Sequence, residues 1–149
     1  MRNLLFCFGL LCFHISCNNA QATTQDSPKM SDYEVLYQSE YGGSGVDEFH
    51  IIDNQGDFAR YWAETTMQPA ISAKNFDSNK KMIITKSFKS KNSGGNQYEV
   101  QSVNVSGKNI TVHYNITSSG DVGTMAITNP LLILLVDKID KPIIEFVNN

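Results

Sequence analysis

The sequence has little cysteine, little histidine and no surplus of basic residues, and each shortage limits what the chain can do. Of its 149 residues only three are cysteines, and all lie within the first 17 positions (Cys7, Cys12 and Cys17). The rest of the chain therefore has no thiol nucleophile, disulfide or thiolate metal site. Twelve basic against 15 acidic residues give a net charge of −3. A nucleic-acid-binding surface needs a net basic face, so we expect no nucleic-acid partner.

Motifs for catalysis and for phosphate binding are also missing from the sequence. Neither Gly-x-Ser-x-Gly nor His-Glu-x-x-His occurs. Two glycine-rich stretches, Gly42–Gly45 and Gly94-Gly95, lack the Gly-Lys-Ser/Thr of a phosphate loop, and the second one precedes a strand-like segment. We interpret both as turns, and we predict no catalytic residue, no metal and no cofactor.

A hydrolase or a small-ligand-binding protein remains the alternative. His113 lies among threonine and asparagine on the polar side of a regular strand pattern, and His50 alternates with Phe49 and Ile51. Both are typical of solvated strand residues. A carboxylate pair for glycoside chemistry would need an acid in an apolar setting, for which Glu99 and Glu145 are the candidates.

The N-terminus predicts export. Residues 4–15, "LLFCFGLLCFHI", are almost all apolar and follow Arg2. As a helix they would span about 18 Å, which is too short for a bilayer core of about 30 Å but suits a signal peptide. We therefore predict a signal peptide over residues 1–16.

The stretch "HISC" that follows resembles the lipobox of bacterial lipoproteins, in which the cysteine is lipidated and becomes the mature N-terminus. This resemblance implies lipidation of Cys17, with residues 17–31 as a polar tether and a location in the bacterial cell envelope, at the outer membrane. An ordinary signal cleaved near Ala20 or Ala22 is the alternative.

Residues 32–149 predict a single, mainly β domain of α+β class, an antiparallel sheet or sandwich with one packed helix. "YEVLY", "EFHIID", "KMIITKSF", "YEVQSVNV" and "NITVHYNIT" alternate in the manner of strands. The apolar phase of the fourth shifts at Gln101-Ser102, which predicts a β-bulge. "LLILLVD", residues 131–137, is apolar on both faces and predicts a central strand.

The helix is predicted near residues 54–67. Asn54 is placed to cap it, and Phe58, Tyr61 and Trp62 follow at helical spacing. Met67-Gln68-Pro69 would end it. Trp62, the only tryptophan, is more typical of a core residue than of a ligand platform.

Charge is segregated along the chain. Six lysines against one acid lie between residues 74 and 91: Lys74, Lys80, Lys81, Lys86, Lys89 and Lys91. A solvated face explains such a run. The alternative is a docking patch for an acidic partner, for which we name Lys86, Lys89 and Lys91.

The order of the elements resembles the PrcB C-terminal domain family, named for a subunit of a bacterial protease complex. The likeness rests on Phe76-Asp77, on "SGGNQY" for the family's "TGGY" turn, on Thr124 to Pro130, and on "PIIEF" at residues 142–146. It departs from the pattern by the order of Phe76-Asp77, which inverts the family's Asp-Phe pair, by two residues inserted before Tyr98, and by Leu131 in place of tyrosine. The resemblance spans roughly residues 49–148.

This resemblance implies a non-catalytic lipoprotein that binds and stabilises or regulates an exported partner protein. The expected partner is a protease, as for the subunit after which the family is named. Loops on a rigid scaffold are common recognition surfaces, and a faint likeness of "TGGY" to chagasin-type protease inhibitors makes inhibition a variant of this hypothesis. The candidate partner-binding residues are Ser93, Gly94, Gly95, Tyr98, Thr124, Thr128, Asn129 and Pro130, with Lys86, Lys89 and Lys91.

Overall fold

A computed structural model describes residues 28–65, 76–118 and 126–149. The elements in chain order are β1 (Lys29–Met30), β2 (Tyr33–Ser39), β3 (Glu48–Ile52), α1 (Gln55–Thr65), β4 (Lys81–Ser87), β5 (Asn96–Ser106), β6 (Asn109–Ser118), β7 (Leu131–Asp137) and β8 (Ile143–Asn148). The predicted mainly β fold with a packed helix is confirmed.

The strands form two four-stranded sheets. Sheet A has the order β1-β5-β6-β8 and sheet B the order β2-β7-β4-β3. Neighbours are antiparallel except β6 and β8, which run parallel because the chain passes through sheet B between them. β7 lies between β2 and β4 with its first four residues buried, so the prediction of a central strand at residues 131–137 is confirmed.

Two apolar cores hold three layers together. The main core lies between the sheets and contains Met82, Ile84, Phe88, Tyr98, Val103, Ile110, Val112, Leu132, Leu134 and Val136. The second core lies on the opposite face of sheet B, where Phe58 and Trp62 of α1 pack against Ile83 and Ile133. Trp62 is 7% exposed, so the interpretation of this tryptophan as a core residue is confirmed.

Both halves of β5 place side chains in the main core, because the strand contains the predicted bulge. Its pairing with β6 shifts register between Val100 and Ser102. Tyr98 before the shift and Val103 after it are both buried in the main core. A strand with a strict period of two would have turned one of them to solvent.

The start of α1 is capped as the sequence predicts. Asn54 Oδ1 accepts a hydrogen bond from the Asp57 backbone N–H at 2.8 Å. An N-cap of this kind contributes about 1 kcal/mol. The helix is described to Thr65, and the predicted stop at Met67–Pro69 lies outside the described residues.

The predicted signal peptide, Cys17 and most of the tether also lie outside the described residues. The last residues of the predicted tether belong to the domain, because Lys29 and Met30 pair with Val105 and Asn104 of β5. The described domain thus begins a few residues before Asp32. Within the described ranges no helix has the length and apolarity needed to cross a bilayer.

The sandwich has two ends of different construction. Residues 40–47, 88–95 and 126–130 form what we call the loop end, where Ser39, Leu131 and Ser87 pair side by side. The opposite end, which we call the hairpin end, holds the Gly107-Lys108 turn, residues 138–142 and the entry of β1.

Candidate functional site

Three chain segments distant in sequence meet at the loop end. Lys91 and Thr128 exchange two backbone hydrogen bonds of 2.9 Å, and Phe88 N–H donates to Pro130 O at 3.0 Å. The Thr128 hydroxyl lies 3.4 Å from Ser93 O. The Ser93 turn and residues 126–130 therefore lie at the same end of the sandwich. Thr124 lies outside the described residues.

The glycine-rich stretch Gly42–Gly45 joins the same cluster. Gly43 N–H donates to Asn129 O at 2.8 Å, and a Cβ at Gly43 would lie 2.5 Å from Pro130 O and 2.7 Å from Ser87 Oγ. A Cβ at Gly45 would lie 2.5 Å from Ser90 Oγ. At Gly43 the near atom is a backbone oxygen, so only glycine fits there, and at Gly45 the φ of 80° favours glycine. The stretch is therefore a packed part of the loop end, a role that the interpretation as a simple turn missed.

Hydroxyl groups complete the connections between these segments. Ser44 Oγ lies 2.5 Å from Glu48 Oε1 and 3.0 Å from Ser87 Oγ, and since it has one proton it donates to the carboxylate and accepts from Ser87. Ser87 Oγ in turn accepts from the Ser44 backbone N–H at 2.9 Å. Ser90 Oγ lies 2.8 Å from Asn129 Oδ1. The loops are thus fixed to one another and to β4.

The outer surface of the loop end combines exposed apolar side chains with free lysines. Tyr41, Val46 and Ile127 are 53%, 60% and 69% exposed. Lys89 and Lys91 are exposed and form no ion pair with any described residue. We call these five residues the loop-end patch.

The structure removes two predicted residues from this surface. Lys86 is 7% exposed, and its Nζ lies 2.8 Å from Asp47 Oδ1 and 5.2 Å from the centre of the Phe146 ring. Tyr98 is 3% exposed and its ring lies 4.4 Å from that of Phe88. Both side chains belong to the protein interior because the alternation of β4 and β5 turns them inward.

The other predicted residues divide by exposure. Gly94, Thr128 and Pro130 are buried, and the last two connect the loops through their backbone hydrogen bonds. Gly95 and Asn129 are half-buried, and Ser93 is exposed. The exposed apolar members of the loop-end patch were not predicted. Tyr41 and Val46 flank the glycine-rich stretch Gly42–Gly45, which is their only signal in the sequence, and Ile127 has no such signal.

The lysine run of residues 74–91 does not form one patch. Lys74 lies outside the described residues, and β4 separates the rest by about 20 Å of strand. Lys80 and Lys81, at the hairpin end, pair with Asp77 and Asp137. Lys89 and Lys91 lie at the loop end, so the docking patch proposed from the run is reduced to these two.

An open cleft lies beside the loop-end patch. It measures about 710 Å³ and is bordered by Tyr37, Tyr41, Ser39, Ser44, Glu64 and Asn129 among others. The Tyr37 hydroxyl donates to Tyr41 O at 3.2 Å, and the Tyr37 ring packs edge-on against Trp62 at 5.5 Å. The cleft thus has a wall of aromatic rings, hydroxyls and an amide.

The histidines and acids considered for hydrolysis form no hydrogen bond or ion pair with one another among the described residues. His50 Nε2 lies 3.9 Å from Glu48 Oε2, on the carboxylate that accepts from Ser44. In a serine hydrolase the hydroxyl of the nucleophile donates its hydrogen bond to the general base. Here the Ser44 hydroxyl donates to the Glu48 carboxylate and not to His50. His113 contacts Asn149 at 3.2 Å. In the described ranges no three His, Cys, Asp or Glu side chains are grouped to hold a metal.

Glu99 and Glu145 are both exposed on sheet A, whereas the carboxyl group that glycoside chemistry requires would lie in an apolar setting.

Three tyrosines have a raised pKa, for which burial is the main cause. The pKa of Tyr61 is raised by burial and by the charge of Glu48. Burial likewise raises the pKa of Tyr98 and Tyr114.

Comparison with models of protein families, with curated proteins and with solved structures finds no match for the chain.

Proposed function

We propose that this chain is a non-catalytic cell-envelope lipoprotein whose loop end binds an exported partner protein and stabilises or regulates it. The loop-end patch is the observation that carries the proposal. Three exposed large apolar side chains belong to the loops of this one end, and two of them, Tyr41 and Ile127, border the same cleft. Exposed apolar surface of this kind is typical of interaction sites. Aromatic residues are also enriched at the centres of protein interfaces.

The construction of the loop end supports recognition. Hydrogen bonds tie residues 42–45, 88–93 and 128–130 together, and the loops therefore lose little conformational entropy on binding. Lys89 and Lys91 have no described counter-ion, which favours a partner with acidic groups around an apolar centre. The cysteine of "HISC" and the resemblance to the PrcB C-terminal domain family support the anchoring and an exported protease as partner.

The test is a pull-down from a detergent extract of the native envelope with the mature chain as bait. We compare the wild type with Lys89→Glu/Lys91→Glu and with Tyr41→Ser/Ile127→Ser. The matched control, Lys108→Glu/Lys141→Glu, makes the same charge change at the hairpin end. We expect one exported enzyme in a fixed ratio to the bait, reduced at least tenfold by both loop-end variants and retained by the control.

Equal recovery with all four baits would refute binding through the loop end. The absence of any stoichiometric partner, with the bait folded, would refute the partner hypothesis itself. The mass of the mature N-terminus tests the anchor separately, since a diacyl or triacyl modification on Cys17 is lost in Cys17→Ala.

We propose small-ligand binding as the second candidate, because the cleft beside Tyr41 offers aromatic rings with hydroxyl and amide groups for a small polar ligand. Native mass spectrometry of the protein from its own envelope tests this. A bound small molecule that is lost in Tyr37→Ala and retained in Tyr33→Ala would support the cleft, and a bare protein mass would count against it.

A further inference from the structure

We propose that the hairpin end is a membrane-facing surface that binds anionic lipid headgroups and holds the loop end away from the bilayer. This inference rests on the proposed lipid anchor at Cys17. It adds an orientation and a second binding surface to the proposed function.

The chain enters the domain at the hairpin end. Lys29 pairs with Val105, one residue before the turn-flanking Ser106, and β1 runs from there into the sheet. Eleven peptide units join Cys17 to Pro28, and they span at most about 36–40 Å. β5 alone is 11 residues, about 35 Å long. The loop end could reach the bilayer only with the tether stretched along the whole flank, whereas the hairpin end is always within reach.

Three lysines without ion pairs cross this end of sheet A. Lys29 is in β1, Lys108 is in the turn between β5 and β6, and Lys141 comes two residues before β8. These strands are neighbours in the order β1-β5-β6-β8, so the row is about 14 Å wide. None of the three ammonium groups pairs with a described acid.

The other lysines at this end are already neutralised. Lys80, Lys81 and Lys138 pair with Asp77, Asp137 and Asp53. Three carboxylates near this end, Asp32, Asp140 and Glu145, form no ion pair with described residues either; Glu145 lies level with Met30 in sheet A. The free lysines and free carboxylates are therefore equal in number, and the attraction to headgroups rests on the row of Lys29, Lys108 and Lys141 rather than on a net positive charge.

Apolar side chains lie beside the free lysines. Met30 follows Lys29, and Ile143 lies two residues after Lys141; each is 65% exposed. Apolar side chains flanked by lysines are what interfacial binding uses, because the apolar groups enter the headgroup boundary while the ammonium groups contact phosphates. A short tether also keeps the bilayer at a high effective concentration, so weak contacts suffice.

The experiment places one fluorophore at each end of the acylated protein in vesicles. The chain has no cysteine after residue 17, so Asn109→Cys at the hairpin end and Asn92→Cys at the loop end are matched single labelling sites, both exposed. The vesicles contain phosphatidylglycerol or only phosphatidylcholine, with a nitroxide on a trace lipid headgroup as quencher. Protein is kept dilute, and a dilution series reports contact with a second copy.

At low salt and with phosphatidylglycerol, we expect the Asn109 label to be quenched at least threefold more than the Asn92 label. Each lysine near an anionic surface shifts the docked population at most about fivefold. The difference should therefore collapse in Lys29→Glu/Lys108→Glu/Lys141→Glu and in 1 M salt, where the screening length is about 3 Å. Lys141→Gly is the conservative variant, because glycine readily adopts the φ of 50° found there. It should lose part of the difference while the fold is kept.

Equal quenching of the two labels in acylated protein overturns the inference and leaves the proposed function intact. A difference in quenching that is unchanged by salt and by the lysine replacements overturns headgroup binding, since the tether alone would then explain it. A difference that vanishes on dilution overturns it in favour of contact between copies. A mature chain without acyl mass overturns the inference together with the proposed anchor.

Discussion

The pair of Lys86 and Asp47 provides the sharpest test of the energetics, because the two partners lie in different environments. The Lys86 side chain is 9% exposed, and that of Asp47 is 64% exposed. Asp47→Ala leaves a buried ammonium without its counter-ion, whereas Lys86→Met removes the charge and releases a carboxylate that water already solvates. Removing the acid should therefore cost more than removing the base.

The magnitudes follow from the burial. Breaking a fully buried pair from one side costs about 3–5 kcal/mol. Because Asp47 is largely solvated, we discount this to about 1–2 kcal/mol for Asp47→Ala. Lys86→Met keeps the apolar stem but loses the contacts of Nζ with the rings of Phe88 and Phe146, at 5.5 and 5.2 Å, worth up to about 1 kcal/mol. The double variant should match Lys86→Met.

Urea unfolding followed by Trp62 fluorescence measures all four proteins, since this is the only tryptophan and it is buried. In a domain of this size 1 kcal/mol shifts Tm by about 3–6 °C. A Lys86→Met variant as destabilising as Asp47→Ala would contradict this order. That result would mean that the lysine charge stabilises the fold by more than its desolvation costs.

Three further predictions use the same unfolding assay. Gly43→Ala should lower the free energy of unfolding by about 1–3 kcal/mol, because the added Cβ overpacks against Pro130 O. The control Gly56→Ala lies in the first turn of α1 with its nearest atom at 3.6 Å, and it should raise the free energy of unfolding by up to about 1 kcal/mol. Equal effects of the two substitutions would contradict the close approach at Gly43. Tyr98→Phe should raise it by about 1 kcal/mol, because the buried Tyr98 hydroxyl has no hydrogen-bond partner among the described residues; a loss would mean that the hydroxyl is bonded. Burial raises the pKa of Tyr61, Tyr98 and Tyr114 from 10.0, so the folded state holds these protons longer. Stability should be complete below pH 10 and fall as pH rises through the raised values; a flat profile above pH 10 would refute this.

Local pattern was enough to predict most of the strands. Alternation identified β6, the phase shift at Gln101 identified the bulge in β5, and the unbroken apolar run identified β7 as central. Each of these signals is local because a side chain in a strand points to a face set by its own position. The Asn54 cap is local for the same reason, since it depends on an interval of three residues.

The site was harder to predict because it is made of contacts distant in sequence. Position 43 must be glycine because Pro130 O, 87 positions away in the sequence, lies too close for a Cβ. The residues next to Gly43 in the sequence do not indicate this contact. Lys86 resembled a surface lysine because its neighbours in sequence are polar, but β4 is covered on both faces. Burial of a strand residue depends on which elements pack above and below it, and that information is not in its alternation.

The layering of the fold explains why binding is proposed at the ends of the sandwich. One face of sheet B packs on sheet A, and the other is covered by α1. The outer face of sheet A carries polar groups such as Glu99, His113 and Glu145, which contact solvent. Of the eight large apolar side chains exposed in the described residues, three lie at the loop end and two at the hairpin end.

The remaining three, Val35, Phe49 and Ile51, lie on edge strands β2 and β3. An edge strand offers its unpaired backbone groups to any extended chain. A partner held at the loop end could therefore extend along β3, whose first residue, Glu48, already accepts the Ser44 hydroxyl of the loop end. Charge at Phe49, as in Phe49→Lys, should then weaken the partner captured through Tyr41 and Ile127, whereas a partner confined to the loops should bind that variant as it binds the wild type.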